Sequence, residues 1–463
     1  MAIRRPIGRY AFISKDASAA GSEGSYPPIR YRRPMTVVGL DDTDSRERGM
    51  CTTYVARTIA VRLERAGASV SRLVLVRLNP AVEYKTRGNA ALAIHTDCDP
   101  GRALEIARDR LDVLAETADE RTHPGVVVAD HDPDEAPETV SRFARRAIRT
   151  HLERTDATAL IDRHDYRSWH AGNGRGRIGA LAAIGAWREL ADWTYEHISY
   201  RDSDRWGTTR EVDAESVFTA ADRGYPEVWD TVDREEGETV CVPHAPGPIL
   251  YGIRGDDPDA VREVGDRIES EPVDASQLFV TNQGTDVHLR EGRLADVRDG
   301  RAYRLDGRIA SEPETVRGGH VFVTLEATDD DENGESLTLE CAAFEPTKRF
   351  RDRVRALRVG DRLTVCGEVS RGTLKLEKFA VRALVTTERV TPTCPDCGRT
   401  MKSAGRDQGY RCRDCETSSA GKERVPLERE LEKGWYEVPP CARRHVAKPL
   451  VRGGFDAPIH PER

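Results

Sequence analysis

The sequence contains no apolar run approaching about 20 residues and no signal-peptide hydrophobic segment, so it reads as a soluble, cytosolic chain without a membrane span. Lysine is scarce. Arginine makes up most of the 71 basic residues, and 79 acidic residues outnumber them to leave a net charge of -8. An acidic, lysine-poor surface suits a salt-rich cytoplasm, which points to a halophilic source. Such a charge would ordinarily argue against a nucleic-acid partner, but in molar salt counterion release contributes little to phosphate contacts. Net charge therefore excludes little. Cysteine is sparse as well, 10 among 463 residues. Cys51, Cys98, Cys241, Cys341, Cys366 and Cys441 lack any metal-ligand spacing and are expected to be buried thiols. The length allows roughly three or four domains with substantial cores.

What the chain does contain is concentrated first in residues 35–68, MTVVGLDDTDSRERGMCTTYVARTIAVRLERAGA. Residues 37–40 read as a buried strand, and Asp41, Asp42 and Asp44 follow at once. After a polar turn with Gly49 comes a helix whose apolar residues Val55, Ile59 and Leu63 recur every four positions. A strand end and a helix start thus converge, as at ligand sites of open α/β sheets. Carboxylates there suit Mg²⁺, and N–H groups around Cys51, Thr52 and Thr53 suit phosphate. Thr52 or Thr53 could instead simply cap the helix. A cap accounts for one hydroxyl, not for three acids.

The flanking residues extend the pattern. Residues 1–34 are basic, rich in Gly, Ser and Pro, and aperiodic, so they read as a disordered or misannotated extension, with a basic nucleic-acid arm as the alternative. Residues 35–190 read as an α/β domain. Its strand at 73–77 runs into a loop bearing Arg77, Asn79, Lys85, Arg87 and Asn89 before the next apolar strand. Cations facing the aspartates suit a triphosphate; the alternative is a solvated hairpin. Helices at 101–115 and 138–151 and a strand at 125–128 continue the alternation, with a turn at Asp132-Pro133-Asp134. Gly174-x-Gly176-x-x-Gly179 matches the dinucleotide fingerprint by letter. No strand is expected immediately before it, and no acidic residue ends a second strand at the required distance, so that reading is set aside. Arg175 and Arg177, ahead of a helix at 178–187, could still touch phosphate.

Residues 191–298 read as a ferredoxin-like α+β unit, with strands at 193–200, 249–253 and 277–281. Its helix at 258–269 starts at Asp257-Pro258, and a polar stretch carries Trp206, Arg210, Trp229, Asp230 and Asp233. Residues 299–388 show five short strands with a helix between the third and fourth, the order of an OB-fold, which binds single-stranded nucleic acid. His320, Phe322, Phe344, Lys348 and Arg349 are its candidate contacts; Phe322 and Phe344 would otherwise be barrel core. Residues 389–463 hold Cys394-x-x-Cys397 and Cys412-x-x-Cys415, spaced as two knuckles of a Zn²⁺ ribbon, with Gly398 and Gly409 at tight turns. Disulfides are the alternative, and a cytosolic setting disfavours them. A basic tail follows, with Arg443, Arg444, His445, Lys448 and Arg452 near Trp435 and Tyr436, where RNA backbone contacts are expected.

Taken together, GLDDTDSRERGMCTTY, RLNPAVEYKTRGN, YGIRG, CAAFEPTKRF and the ribbon followed by VPPCARRH resemble the archaeal tRNA-isoleucine 2-agmatinylcytidine (agmatidine) synthetases. The resemblance runs collinearly from residue 35 to about residue 452. It implies a kinase-like domain, a ferredoxin-like domain, an OB-fold and a zinc ribbon. It further implies that ATP and agmatine convert the wobble cytidine of a CAU-anticodon isoleucine tRNA so that it reads AUA. A pyrimidine carbonyl oxygen leaves poorly, so phosphorylation must precede attack by the amine, which calls for carboxylate-held Mg²⁺ and cations. The expected catalytic set is Asp41, Asp42, Asp44, Thr52, Lys85 and Arg87, with Thr52 as the threonine that the resemblance makes autophosphorylated. Thr43, Gly49, Thr53, Arg77, Asn79 and Asn89 complete the phosphate contacts. Asp230, Asp233 and Asp286, with His288 alongside, are the groups chosen for agmatine. No obligate protein partner is evident. Rival readings are attachment of a different amine, or a non-catalytic tRNA binder.

Overall fold

The computed structural model describes residues 35–83, 85, 88–328 and 337–463, so expectations for residues 1–34 and for Arg87 fall outside the described residues. In chain order the first elements are β1 (Thr36–Asp41), α1 (Thr52–Arg65), β2 (Val70–Arg77), β3 (Ala90–Thr96), α2 (Pro100–Leu114) and β4 (Gly125–Ala129). Then come α3 (Glu138–Arg149), α4 (Arg154–Arg163), β5 (Arg167–His170), α5 (Gly176–Glu189) and β6 (Thr194–Arg201). α6 (Ala214–Gly224), β7 (Val228–Trp229), β8 (Ile249–Gly255), α7 (Pro258–Asp266) and β9 (Val273–Thr281) complete a mixed α/β body.

All nine strands join one sheet in the order β5-β4-β1-β3-β2-β9-β6-β8-β7. Every neighbouring pair is antiparallel except β2 with β9, the seam between the two halves of the sheet. Side chains alternate across β1: Val37 enters the core under α3 and α5, while Val38 and Leu40 enter the core under α1 and α2. The second core also takes Ile198, Tyr200 and Phe279 from beyond the seam, so the halves share buried surface. Local signals place the helix starts. Asp99 accepts the Arg102 N–H at 2.9 Å ahead of Pro100, and Asp257 accepts those of Asp259 and Ala260 ahead of Pro258.

Several elements were not expected, among them α4, β5 and α6. β5 does precede the glycine loop; it is a short, polar edge strand that gives no apolar signal. Its pairing with β4 is antiparallel, so no parallel βαβ unit forms. α6 lies in the stretch read as polar, because its buried face is Val217, Ala220 and Ala221, mostly small residues, with Asp213 as its cap. The fingerprint glycines are packing residues. A Cβ on Gly176 would stand 2.5 Å from Gly125 N and 2.6 Å from Asp41 O, and one on Gly179 would stand 2.0 Å from Asp41 Oδ2.

The chain continues through β10 (Leu289–Glu291), β11 (Arg301–Ile309), β12 (Glu314–Thr315), β13 (Val321–Glu326), β14 (Thr338–Ala343), α8 (Phe350–Arg355), β15 (Arg362–Ser370) and β16 (Thr373–Ala383). β11, β13, β14, β16 and β15 pair in a closed circuit, a five-stranded barrel filled by Leu305, Val323, Val365, Phe379 and, from α8, Phe350. Short strands β17 (Thr387–Val390), β18 (Lys402–Ser403), β19 (Tyr410–Arg411), β20 (Ser418–Ser419) and β21 (Glu423–Pro426) carry the four-cysteine knuckles. β22 (Gly434–Glu437) and β23 (Ile459–His460) then return the chain to the barrel. The basic segment is therefore not a tail. Trp435 is buried, and the arginines that looked free have acidic partners from remote parts of the chain. Among the described residues, no helix is long and apolar enough to cross a membrane.

The close approach of α5 to β1 makes a direct prediction. Gly176→Ala should destabilise the fold by about 1–3 kcal/mol or more, because its methyl would meet backbone atoms that cannot rotate away. Denaturant unfolding in molar KCl checks this, and wild-type stability would contradict it.

Candidate active site

β1 ends by delivering Asp41, after which the backbone turns sharply through Asp42 at φ 61. The turn closes with reciprocal Ser45–Gly49 backbone bonds and enters α1. Asp41 Oδ1 accepts the Asp42 N–H at 2.6 Å. Asp42 Oδ2 accepts Arg175 Nη2–H at 2.8 Å, Arg175 Nε–H at 3.0 Å and His123 N–H at 3.2 Å. Arg175 comes from the glycine loop, so the loop supplies the countercharge to the acids. That charge is insufficient. Burial and then the neighbouring Asp42 raise Asp41 well above the usual carboxylate range, and burial raises Asp42 to about 6 despite Arg175. A cluster that holds protons this strongly would accept a further cation in their place.

α1 has no side-chain cap: Cys51 occupies the cap position in extended conformation, and Thr52 and Thr53 are the first two helical residues. The capping alternative for the threonines is thereby removed. Thr43 Oγ1 donates to Thr52 Oγ1 at 3.0 Å, and Cys51 Sγ lies 3.1 Å from Thr53 Oγ1. Hydroxyls and the helix's positive end face the acids across one cavity of about 490 Å³.

The other walls carry both signs of charge. Arg77, at the end of β2, lies 3.4 Å from Gln283 Oε1 and 3.9 Å from Glu196 Oε2, and its buried Nε has no partner among the described residues. Gln283 Nε2 donates to Glu196 Oε2 at 2.6 Å. Arg254 Nη1 donates to His445 Nδ1 at 3.0 Å. Arg77, then burial, then Arg254 hold His445 well below its usual range, so the imidazole is neutral with its proton on Nε2. Glu238, Cys441 and Arg443 also line the space, the last two from the segment beyond the ribbon.

Away from this cavity, the ligand atoms of Cys394, Cys397, Cys412 and Cys415 lie within 4.8 Å of one another, with Cys397 and Cys412 Sγ 3.6 Å apart. Zn–S bonds of about 2.3 Å place tetrahedral sulfurs about 3.8 Å apart, so the four thiols fit zinc. Gly398 and Gly409, both at φ 71, make the turns that bring the knuckles together.

Comparison with known proteins settles the family. The TiaS TCKD domain model matches residues 37–173, the TiaS FLD domain model residues 174–288 and the TiaS C-terminal zinc ribbon domain model residues 391–431. The isoleucine-tRNA 2-agmatinylcytidine synthetase TiaS of Haloquadratum walsbyi is 56% identical over 462 residues, covering 93% of this chain and 100% of that protein. The chain belongs to the TiaS family. Among solved structures, a complex of TiaS with isoleucine tRNA and ATP is 41% identical with a TM-score of 0.84, covering 93% of this chain and 100% of its own. A complex of TiaS with isoleucine tRNA, AMPCPP and agmatine is 39% identical with a TM-score of 0.81 and the same coverage. A halophilic source, expected from composition, and an archaeal one, implied by the resemblance, both fit the Haloquadratum match.

Within this TiaS chain the expected residues divide clearly. Asp41, Asp42, Asp44, Thr52, Thr53, Arg77, Lys85 and Asn89 line the cavity. Lys85 donates to the Pro80 carbonyl and not to the aspartates, and burial lowers its pKa. Thr43, Gly49 and Asn79 are not among the residues that line the cavity. Asn79 uses its amide on Gly300 O at 3.0 Å and on Ala81 N–H at 3.0 Å, pinning the loop. The acids chosen for a guanidinium lie elsewhere and already have partners: Asp230 with Arg443, Asp233 with Arg349 and Asp286 with Lys378. His288 is buried against Glu377 at 3.0 Å. Of the proposed RNA contacts, Lys348 faces Glu236 at 3.4 Å and Arg444 faces Glu368 and Glu377. Arg443 is buried between Asp230 and Glu437, and the Lys448 backbone N–H bonds Asp286. Phe322 and Phe344 are half-buried outside the barrel core, packed edge to face with ring centres 6.1 Å apart and His320 beside Phe344. Cys51 and Cys441, expected as buried thiols, are half-buried at the cavity wall. Sequence reading missed Glu196, Glu238 and Arg254, which sit in ordinary strand and loop contexts; only folding brings them to the acids.

Two outcomes follow. Metal analysis of the purified protein should find one zinc per chain, lost in Cys394→Ser together with local ribbon structure; four thiols freely reactive without added metal would contradict it. Asp42 also makes stability fall with pH. Its folded pKa of about 6 exceeds the ordinary 3.8, so its contribution is full below about 3.8 and is lost as pH rises through 6. Asp42→Asn should flatten that part of a stability-versus-pH curve.

Proposed function

We propose that this protein is an ATP-dependent synthetase that conjugates agmatine to the wobble cytidine of a CAU-anticodon isoleucine tRNA. The observation that carries the reading is one cavity with Asp41, Asp42, Asp44 and Thr52 at one side and Arg77, Arg254 and Glu196 at another. In this reading residues 35–190 are kinase-like, 191–298 ferredoxin-like and 299–388 an OB-fold, with the zinc ribbon after them.

The chemistry has two steps. A phosphoryl group passes from ATP to the cytidine 2-oxygen; the primary amine of agmatine then attacks C2, and the C2–O bond breaks with its electron pair leaving on phosphate. The amine's proton is released. Asp41, Asp42 and Asp44 would hold Mg²⁺, which prefers hard oxygen ligands and would supply charge neutralisation for phosphoryl transfer. Arg175 holds Asp42 in place for that role. Thr52, at the positive end of α1, is the phosphorylated or phosphate-contacting hydroxyl. Arg77 and Arg254 face the transferred group, with neutral His445 donating from Nε2. Agmatine carries a guanidinium and an amine, and Glu196 and Glu238 are the cavity acids suited to them. His320, Phe322 and Phe344 offer a stacking surface for an RNA base. A binding protein would have no use for three clustered acids lining a cavity, which weighs against the non-catalytic reading.

Single-turnover formation of the agmatine adduct tests this with two variants. Asp42→Asn should abolish adduct formation while leaving tRNA affinity near wild type. Thr52→Ala should cut turnover by roughly two to three orders of magnitude, as loss of a preorganised charge-handling group does, with the fold intact. Near-normal turnover in Thr52→Ala would reduce that residue to a packing role. Because protons compete with the metal, wild-type turnover should rise with pH through about 6, and a flat profile across that range would contradict the assignment of Asp42.

A further inference from the structure

A second cavity, of about 630 Å³, lies beside β10 and β11. Four arginines line it: Arg149 from the end of α3, Arg290 from β10, and Arg301 and Arg304 from β11. Arg304 is engaged, 2.8 Å from Asp456 and 3.8 Å from Glu291. No ion pair joins Arg149, Arg290 or Arg301 to a carboxylate among the described residues. The acids in the same wall are taken: Asp286 by Lys378 at 2.7 Å, Glu291 by Arg304, and Asp296 by Arg293 at 3.5 Å.

The three remaining guanidiniums lie close enough to act on one another. Arg149 donates Nε–H to Val287 O at 2.8 Å. Arg290 Nε is buried and has no hydrogen-bond partner among the described residues. Burial, then the neighbouring Arg145 and Arg290, lowers the pKa of Arg149; burial, then Arg301, lowers that of Arg290. Like charges held together with no ion-paired carboxylate among the described residues leave room for an external anion, and the planar fork of arginine matches phosphate. The end of α3 separates this cavity from the first: Ala147, Thr150 and Leu152 line the one and Arg149 the other. The cavity also exceeds what a single free phosphate ion fills, and the half-buried Phe455 in its wall suits an adjoining sugar or base.

We propose that Arg149, Arg290 and Arg301 hold a backbone phosphate of the bound RNA, fixing the strand next to the cavity where its base reacts. This rests on the reading of the substrate as tRNA. Gripping the backbone here is sequence-independent and positions the strand without reading it.

The test uses the full chain. In Arg290→Gln/Arg301→Gln, tRNA affinity should fall roughly tenfold or more, and the slope of log K against log salt should shrink by about 1 for each phosphate no longer neutralised. ATP and agmatine binding should not change. Arg290→Lys/Arg301→Lys, which keeps the charge, should retain most of the slope. Unchanged affinity and slope in the Gln variant would overturn the proposal. So would loss of thermal stabilisation by inorganic phosphate with tRNA binding intact, which would make this a free-anion site. Should the variants misfold, phenylglyoxal modification of wild type decides: tRNA should protect Arg290 and Arg301, and equal labelling with and without tRNA would overturn the site. Failure of wild type to bind tRNA at all would instead overturn the substrate reading, and this inference with it.

Discussion

Three carboxylates at the end of β1, with Arg175 bound to Asp42, are the constraint on which the rest of the site depends. Left in water they would repel and disperse. Here α5 closes over them, and it can do so only because Gly176 and Gly179 leave no side chain between helix and strand. The same loop that carries those glycines carries Arg175. One short stretch therefore provides the approach, the burial and the partial countercharge. Burial raises Asp42 to about 6, so a bound cation would stabilise the charged form of the cluster.

The far side of the cavity depends on a different interaction, the return of the chain after the ribbon. Arg443 lies buried between Asp230 and Glu437, and Arg452 reaches Asp192 at 3.2 Å and Asp256 at 2.7 Å. These pairs tie residues beyond the ribbon to the sheet and carry His445 and Cys441 into the cavity wall. Burial matters in a salt-rich setting. Molar salt screens exposed pairs such as Arg102–Glu105, but screens desolvated ones far less. Breaking one partner of a buried pair leaves an uncompensated charge, so the return segment is structurally committed as well as functional.

Much of this was legible in the sequence wherever one residue's neighbours in the chain are also its neighbours in space. The apolar run, the three acids and the spaced Val55, Ile59 and Leu63 specify a strand, turn and helix locally, and the paired CxxC knuckles specify their own geometry. What escaped was set by distant pairing. Asp230, Asp233 and Asp286 look available in sequence, yet arginines and a lysine from far along the chain neutralise each of them. Glu196 looks like one polar residue in a strand, and becomes a site residue only when β6 lies one strand from β2 across the seam. β5 and α6 were missed for a plainer reason, since edge pairing and alanine packing leave little hydrophobic signal.

The central claim is that this cavity joins agmatine to RNA at the expense of ATP. Its most direct test is mass spectrometry of an isoleucine tRNA with a CAU anticodon, digested after incubation with the protein, ATP and agmatine at high salt. The account predicts that the wobble cytidine alone gains agmatine with loss of its 2-oxygen, and only when ATP is present. An unmodified wobble cytidine under conditions where the protein binds both tRNA and ATP would contradict it.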